Sequence, residues 1–255
     1  MTFPPQSQQN NARVILVTGA ARRIGAEIVR HFHEQGFRVL IHCRQSLEAA
    51  NALAASCNQI RSDSAVVLQQ RLDSAAAANE LGEKALSVWQ RIDVLVNNAS
   101  AFYPTPVGDI TEANWEELMN SNAKAPLFLS QALAPTLKVH RGSIINLTDI
   151  HAEAGLSEHA PYTMAKAALL AMTRTLAREL APEVRVNAIA PGAILWPESN
   201  TDMNTEAQQA ILDSIPMASL GSPADIAATA YFLAVQASYV TGDIIRVDGG
   251  RRLTG

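Results

Sequence analysis

The chain has 255 residues, 48% of them hydrophobic, a formal charge of -4 and a pI near 5.9. That length and apolar content suit one large α/β domain, and the acidic balance leaves no basic footprint for nucleic acid. Two cysteines, Cys43 and Cys57, make no disulfide framework, and no run of ~18 uninterrupted apolar residues offers a membrane span, so a reducing, cytoplasmic home is expected.

Residues 1–12 are polar, with two prolines and no apolar signal-peptide core, and are expected to be a flexible tail. Val14 to Thr18 is an apolar run before a glycine, as in a buried parallel strand. Ile24, Ile28, Val29 and Phe32 then recur at helical spacing as far as Gly36. Arg38–His42 reads as a strand, Leu47–Cys57 as a helix, Ala65–Gln69 as a strand, Ser74–Trp89 as a helix and Asp93–Asn97 as a strand. Thr111 to Leu137 is helical, with Thr111 and Asn114 as candidate caps, and Pro126 must bend or interrupt it. Ser143–Leu147 is a strand, Ala160–Leu180 a long helix, Arg185–Ala190 a strand, Glu206–Ser214 and Pro223–Gln236 helices, and Ile244–Val247 a last strand. This alternation predicts one domain, residues 13–255, built as a doubly wound parallel sheet with helices on both faces.

In such a sheet, ligands bind beyond the carboxyl ends of the strands. The chemically suggestive residues fall there: Arg22 and Arg23 after the first strand, His42 to Ser46 after the second, Asn97 to Tyr103 after the fourth, Asp149 after the fifth, and Pro191-Gly192 after the sixth. Thr18-Gly19-Ala20-Ala21-Arg22-Arg23-Ile24-Gly25 joins the first strand to the first helix. Gly19 permits a tight turn, Gly25 permits close helix packing, and the helix N-terminus offers N–H groups to a pyrophosphate. Arg23 stands where a middle glycine is usual, beside the phosphates and within reach of a substrate.

The second strand ends Ile41-His42-Cys43-Arg44-Gln45-Ser46, without the acid that holds the ribose hydroxyls of NAD. Arg44 and Ser46, with Arg22 and His42, suit a 2′-phosphate instead, so NADPH is the expected cofactor. Asp73 either meets the adenine or caps the next helix. Tyr162 and Lys166 lie four apart on a helix and share a face, where an ammonium is expected to stabilise the phenolate and lower the tyrosine pKa. Trp196 lies in a segment, running to about Thr205, that is long enough to be a lid. His31 and His33 diverge on their helix, no metal site is expected, and His151 is expected to be a surface histidine.

Thr18 to Gly25, Asn97-Asn98-Ala99, Tyr162-x-x-x-Lys166, Pro191-Gly192 and Val247-Asp248-Gly249-Gly250 together resemble the short-chain dehydrogenase/reductase family, from Val14 to Gly250. The resemblance implies a Rossmann fold, hydride transfer from a nicotinamide, a homotetramer, and a role for Asn122 in holding the lysine and a water. It also implies that Gly19, Ile24, Gly25, Asn98, Ala99, Ser100, Tyr162, Lys166, Pro191 and Gly192 belong to the cofactor site. The C-terminal residues from Arg251 to Gly255 are candidates for an interface.

The family usually has a serine shortly before the tyrosine; here that position is Asp149, and Thr148 is one place early. With Arg23 and the stretch Asn98-Ala99-Ser100-Ala101-Phe102-Tyr103-Pro104-Thr105-Pro106, this resembles the pteridine reductase branch. That implies NADPH-dependent reduction of pterins, and of folates in some members. Phe102 is then expected to stack on the pterin, and Ser100 and Arg23 to bind pterin and phosphate. Trp196, from its place after the sixth strand, either closes over the pocket as a substrate-binding lid residue or is a partly buried loop residue. Tyr162 and Asp149 are the expected proton-handling pair. A charged aspartate suits a substrate with basic nitrogens better than a developing oxyanion. The competing expectations are a dihydromonapterin-type reductase, a carbonyl or 3-oxoacyl reductase of the same family, and a non-catalytic NADPH-binding protein.

Overall fold

A computed structural model describes residues 12–196 and 204–253. Most of the expected N-terminal tail, the middle of the expected lid segment and the last two residues of the expected C-terminal interface lie outside the described residues.

The strands β1 (Val14–Val17), β2 (Arg38–Cys43), β3 (Ala65–Gln69), β4 (Val94–Asn97), β5 (Ser143–Leu147), β6 (Arg185–Pro191) and β7 (Ile244–Val247) form one sheet in the order β3-β2-β1-β4-β5-β6-β7, every neighbouring pair parallel. β1, β4 and β5 are buried at every residue, as expected of strands covered on both faces. The order reverses between β1 and β4, which opens a crevice at their carboxyl ends.

On one face lie helices α1 (Arg23–Glu34) and α2 (Leu47–Ile60), packed with a later helix through Ile28, Val29, Phe32, Leu53, Ile226 and Leu233. On the other face lie α3 (Ala75–Trp89), α4 (Glu112–Met119) and α5 (Ala125–Val139), where Leu81, Leu129 and Leu133 meet Leu16, Leu95 and Ile144 of the sheet. After β5 come a single turn α6 (His151–Ala154) and the long α7 (Ala160–Glu179); α8 (Thr205–Asp213) and α9 (Pro223–Tyr231) follow β6.

The expected break near Pro126 is a π turn, Asn120–Lys124, between α4 and α5. Pro126 sits in the first turn of α5, where its missing N–H is tolerated. Thr111 and Asn114 form a reciprocal capping box at the start of α4. A second π turn, Phe232–Gln236, ends the helical stretch that reads as continuous in sequence. The four-residue α6 is too short to carry a periodic signal.

Candidate active site

The loop after β1 is held by its partner after β4. The Asn98 amide donates to the carbonyls of Thr18 (2.8 Å) and Gly19 (2.9 Å), and the Thr18 hydroxyl accepts from the N–H groups of Asn98 (2.9 Å) and Ala99 (3.0 Å). Gly19 has φ +61°, and a Cβ there would stand 2.8 Å from Ala99 Cα. A Cβ on Gly25 would collide with the Gly19 carbonyl and the Asn98 amide. These contacts press the N-terminus of α1 onto the loop and form a cradle at the cleft, where the positive end of a helix favours an anion.

Arg23 also has positive φ, +53°, the left-handed region that glycine enters most readily. Its guanidinium donates to the carbonyls of Trp196 (3.2 Å) and Leu195 (3.4 Å), tying the loop to the segment after β6. Trp196 is half-buried, and the rest of the expected lid, residues 197–203, lies outside the described residues.

A cleft of about 1070 Å³ runs from this loop along the ends of β2, β3 and β4 to α4. Gly19, Arg22, Arg23, Ile24, Gly25, Arg44, Ser46, Asp73, Asn98, Ala99 and Ser100 all line it. Its volume and its glycine cradle fit the adenosine and phosphates of a dinucleotide.

His42 also borders the cleft, but it is no phosphate ligand. Its side chain is buried, its Nδ1 accepts from the Gly19 N–H at 3.1 Å, and its Nε2 donates to the Gln70 carbonyl at 3.0 Å. Burial pushes its pKa down to about 4, against the pull of Gln70. A neutral ring with both nitrogens committed is a strut for the glycine loop, not a cation for phosphate. Asp73 is not the helix cap: Ser74 caps α3 by accepting from Ala77, and Asp73 is paired with Arg71 at 2.8 Å.

The cleft lining does not include Asp149, Tyr162, Lys166, Pro191 or Gly192, which gather beside it at the ends of β5 and β6. Tyr162, buried on α7, donates its hydroxyl to Asp149 Oδ2 at 2.8 Å, and Asp149 Oδ1 accepts from the His151 N–H at 2.7 Å. α6 thus supplies the backbone donor that aims the carboxylate, and this N–H is what His151 brings to the site.

Lys166 is buried and donates to the Leu147 carbonyl at 2.8 Å, with its nitrogen 5.7 Å from the Tyr162 ring centre. Burial lowers its pKa to about 8, against the attraction of Asp149. The tyrosine shifts opposite to the sequence expectation: burial, then the charge and hydrogen bond of Asp149, push it up. Lys166, lying over the ring, does not offset this.

Asn122 is buried in the π turn, where it accepts from the Ser100 hydroxyl at 2.6 Å and donates to the Ala101 carbonyl at 2.9 Å. It fixes the loop after β4 and makes no direct hydrogen bond to Lys166. Gly192 donates to the Val247 carbonyl at 2.9 Å, and a Cβ on it would reach Asp248 Cα at 2.7 Å. The Val247-Asp248-Gly249-Gly250 run therefore braces the tip of β6.

Phe102 is 56% exposed, stacks on His159 at 4.7 Å and meets the Tyr162 ring edge-on at 4.8 Å. The backbone of Thr105 bridges to His159, holding this loop against the start of α7. His159 and Glu117 bear on the site without a signal in the sequence, because each acquires its role through residues distant in the chain, His159 through Phe102 and Glu117 through Arg44 and Tyr103. Among the described residues, no group of three His, Cys, Asp or Glu side chains is placed to hold a metal. No described helix is long and apolar enough to cross a membrane.

A family model described as enoyl-(acyl carrier protein) reductase matches residues 19–252. Pteridine reductase 1 of Leishmania tarentolae is 37% identical, over 95% of this chain and 97% of that protein. The 3-oxoacyl-[acyl-carrier-protein] reductase of Synechocystis is 35% identical, over 94% and 96%, and the uncharacterized oxidoreductase YmfI of Bacillus subtilis 34% identical, over 93% and 98%. The chain belongs to the short-chain dehydrogenase/reductase family; it is an oxidoreductase with a site for a nicotinamide cofactor.

Proposed function

We propose that this short-chain dehydrogenase/reductase reduces pterins, and folates as larger variants of them, with NADPH as the reductant. The observation that carries the reading is the 2.8 Å hydrogen bond from Tyr162 to Asp149 with the Phe102 ring beside it. A carboxylate facing the reacting centre opposes the negative charge that builds on a reduced carbonyl, and it favours a ring nitrogen that gains a proton. Phe102 offers a flat apolar face for a fused ring.

The bound nicotinamide would supply the hydride. Tyr162 and Asp149 hold one proton between them, which would pass to a ring nitrogen of the pterin, and the His151 N–H keeps the carboxylate aimed. Lys166, retaining its charge through most of the neutral range, steadies Asp149 and is available to a ribose hydroxyl. Gly19, Ile24, Gly25, Ala99, Pro191 and Gly192 would form the cradle. Arg44 and Ser46 would hold the 2′-phosphate, with Arg22 nearby, and Arg23 and Ser100 would lie between phosphates and substrate.

The identity to the Leishmania tarentolae pteridine reductase supports the pterin reading. The similarity to 3-oxoacyl-[acyl-carrier-protein] reductases supports a second one, a thioester ketone substrate. Steady-state NADPH oxidation with dihydrobiopterin, dihydromonapterin, biopterin, dihydrofolate and an acetoacetyl thioester separates them. Turnover of the pterins with little on the thioester is expected. The reverse order refutes the pterin assignment, and tight NADPH binding with no turnover of either class favours a non-catalytic binder.

The free, buried Cys43 and Cys57 suit a cytoplasmic setting. The exposed apolar side chains of Trp115, Leu127 and Met164, on α4, α5 and α7, suit burial between subunits of a homotetramer. Light scattering on the purified chain would measure its mass directly.

A further inference from the structure

Glu117, near the end of α4, bridges two parts of the site that are separate in sequence. One carboxylate oxygen accepts from Arg44 Nη1 at 3.0 Å, and the other accepts from the Tyr103 hydroxyl at 3.2 Å. Arg44 follows β2 at the adenosine end of the cleft, and Tyr103 adjoins Phe102 in the loop after β4. Hydrogen bonding from Arg44 holds the Glu117 carboxyl below its ordinary value, opposed by burial and aided by Tyr103 and by the charges of Arg44 and Arg71. Glu117 is therefore a full negative charge at neutral pH, on the wall where a 2′-phosphate is expected.

Resting on the NADPH reading above, we propose that Glu117 is the internal counter-anion of the 2′-phosphate subsite, displaced from Arg44 when that phosphate binds. A phosphate monoester carries about −1.5 to −2 charges and three strong acceptor oxygens, so a guanidinium prefers it to a single carboxylate. Arg44 has first to release Glu117, and the carboxylate left nearby repels the incoming charge. Glu117 thus limits how strongly the 2′-phosphate is held and sets the margin of NADPH over NADH. NADH, without that phosphate, leaves the Arg44–Glu117 pair in place.

Tyr103 enters the same balance. Its hydroxyl shares the charge of Glu117 with Arg44, so losing the hydroxyl leaves Glu117 bound more firmly to Arg44.

The test is calorimetric titration of the wild type, Glu117→Gln and Glu117→Ala with 2′-AMP, NADPH and NADH. Both Arg44 and Glu117 are partly exposed, 44% and 38% at the side chain, so the competition amounts to about two- to fivefold in affinity. Both variants are expected to bind 2′-AMP and NADPH tighter by that factor, with NADH unchanged. Tyr103→Phe is expected to weaken 2′-AMP, and to have no effect on it when combined with Glu117→Gln. Unchanged 2′-AMP and NADPH affinity in both Glu117 variants, while Arg44→Ala weakens NADPH alone, overturns the proposal and leaves the NADPH reading standing. Equal tightening of NADPH and NADH overturns it as well, since Glu117 then acts on the shared part of the cofactor. If Arg44→Ala weakens NADPH and NADH alike, the 2′-phosphate reading fails, and this inference with it.

Discussion

Lowering the pH from 7.5 to 5 is expected to remove about 2 kcal/mol of stability through His42 alone. The ring has an ordinary pKa of 6.5 and titrates at about 4 in the fold, chiefly because it is buried. Between those values the unfolded chain binds a proton that the folded chain refuses, so stability rises with pH across the window and is lost as pH falls through it. At about 1.4 kcal/mol per pH unit, the full gap is worth about 3 kcal/mol once both states are protonated. At pH 5 the folded ring is still mostly neutral, and about 2 kcal/mol has been lost. Protonation would also take Nδ1 from the Gly19 N–H, so the loss falls on the glycine loop.

Urea titrations of the wild type and His42→Asn at pH 7.5 and pH 5 measure this. His33 is buried against Ser64 and is likewise pushed down to about 4, by burial and by Arg61. The difference between the two proteins in the change of stability with pH, and not the wild-type change itself, therefore isolates His42. The variant is expected to start lower, because the Gln70 carbonyl loses its donor, and to lose less on acidification. An identical pH dependence in the two proteins would falsify the assignment of His42 as a neutral strut, and would reopen it as a phosphate-binding cation.

Tyr162→Phe and Asp149→Ala are each expected to lower kcat by about 10²–10⁴ while NADPH affinity stays within about threefold; wild-type rates in both would remove the proton-transfer assignment. Gly25→Ala adds a methyl against the Gly19 carbonyl and the Asn98 amide, so calorimetry should show about 1–3 kcal/mol less stability together with weakened NADPH binding. A variant that retains wild-type stability and NADPH affinity would contradict the close packing of that loop. Lys166, at about 8 in the fold against an ordinary 10.5, makes stability rise with pH between those values. Tyr162, pushed up by burial and Asp149, acts in the opposite sense above about pH 10. Lys166→Met should flatten the rise between pH 8 and 10, and a rise of unchanged size would show that Lys166 is not the group responsible.

Much of the architecture was legible because the signals are local. Val14 to Val17 reads as a buried strand since strands covered on both faces tolerate few polar side chains. Ser143 to Leu147 is buried as fully although it carries Ser143 and Asn146, and Asn146 is satisfied by accepting from the Asn97 amide and donating to the Thr173 hydroxyl. Thr111 and Asn114 read as caps because a capping box closes within one turn. Gly19 and Gly25 read as a tight nucleotide turn from their place between strand and helix, and the structure adds the walls that demand them, Ala99 and the Asn98 amide. The π turn was half visible: Pro126 announced an interruption, but not that the extra residue would bury Asn122 against Ser100 and Ala101.

What the sequence alone determined is which groups stand at the strand ends: a glycine cradle, a β2 end without an acid, and an aspartate ahead of the Tyr162–Lys166 pair. Those follow from chain order, because a parallel sheet delivers every strand end to one edge. What only the tertiary structure decided is the state of each group once it arrives there. Burial made His42 a neutral strut and turned the tyrosine pKa upward, and the approach of α4 to β2 set Glu117 on Arg44. Desolvation and through-space charge depend on neighbours beyond the local pattern, 13 residues away for Asp149 and Tyr162, 28 for Gln70 and His42 and 73 for Glu117 and Arg44, so no local pattern encodes them.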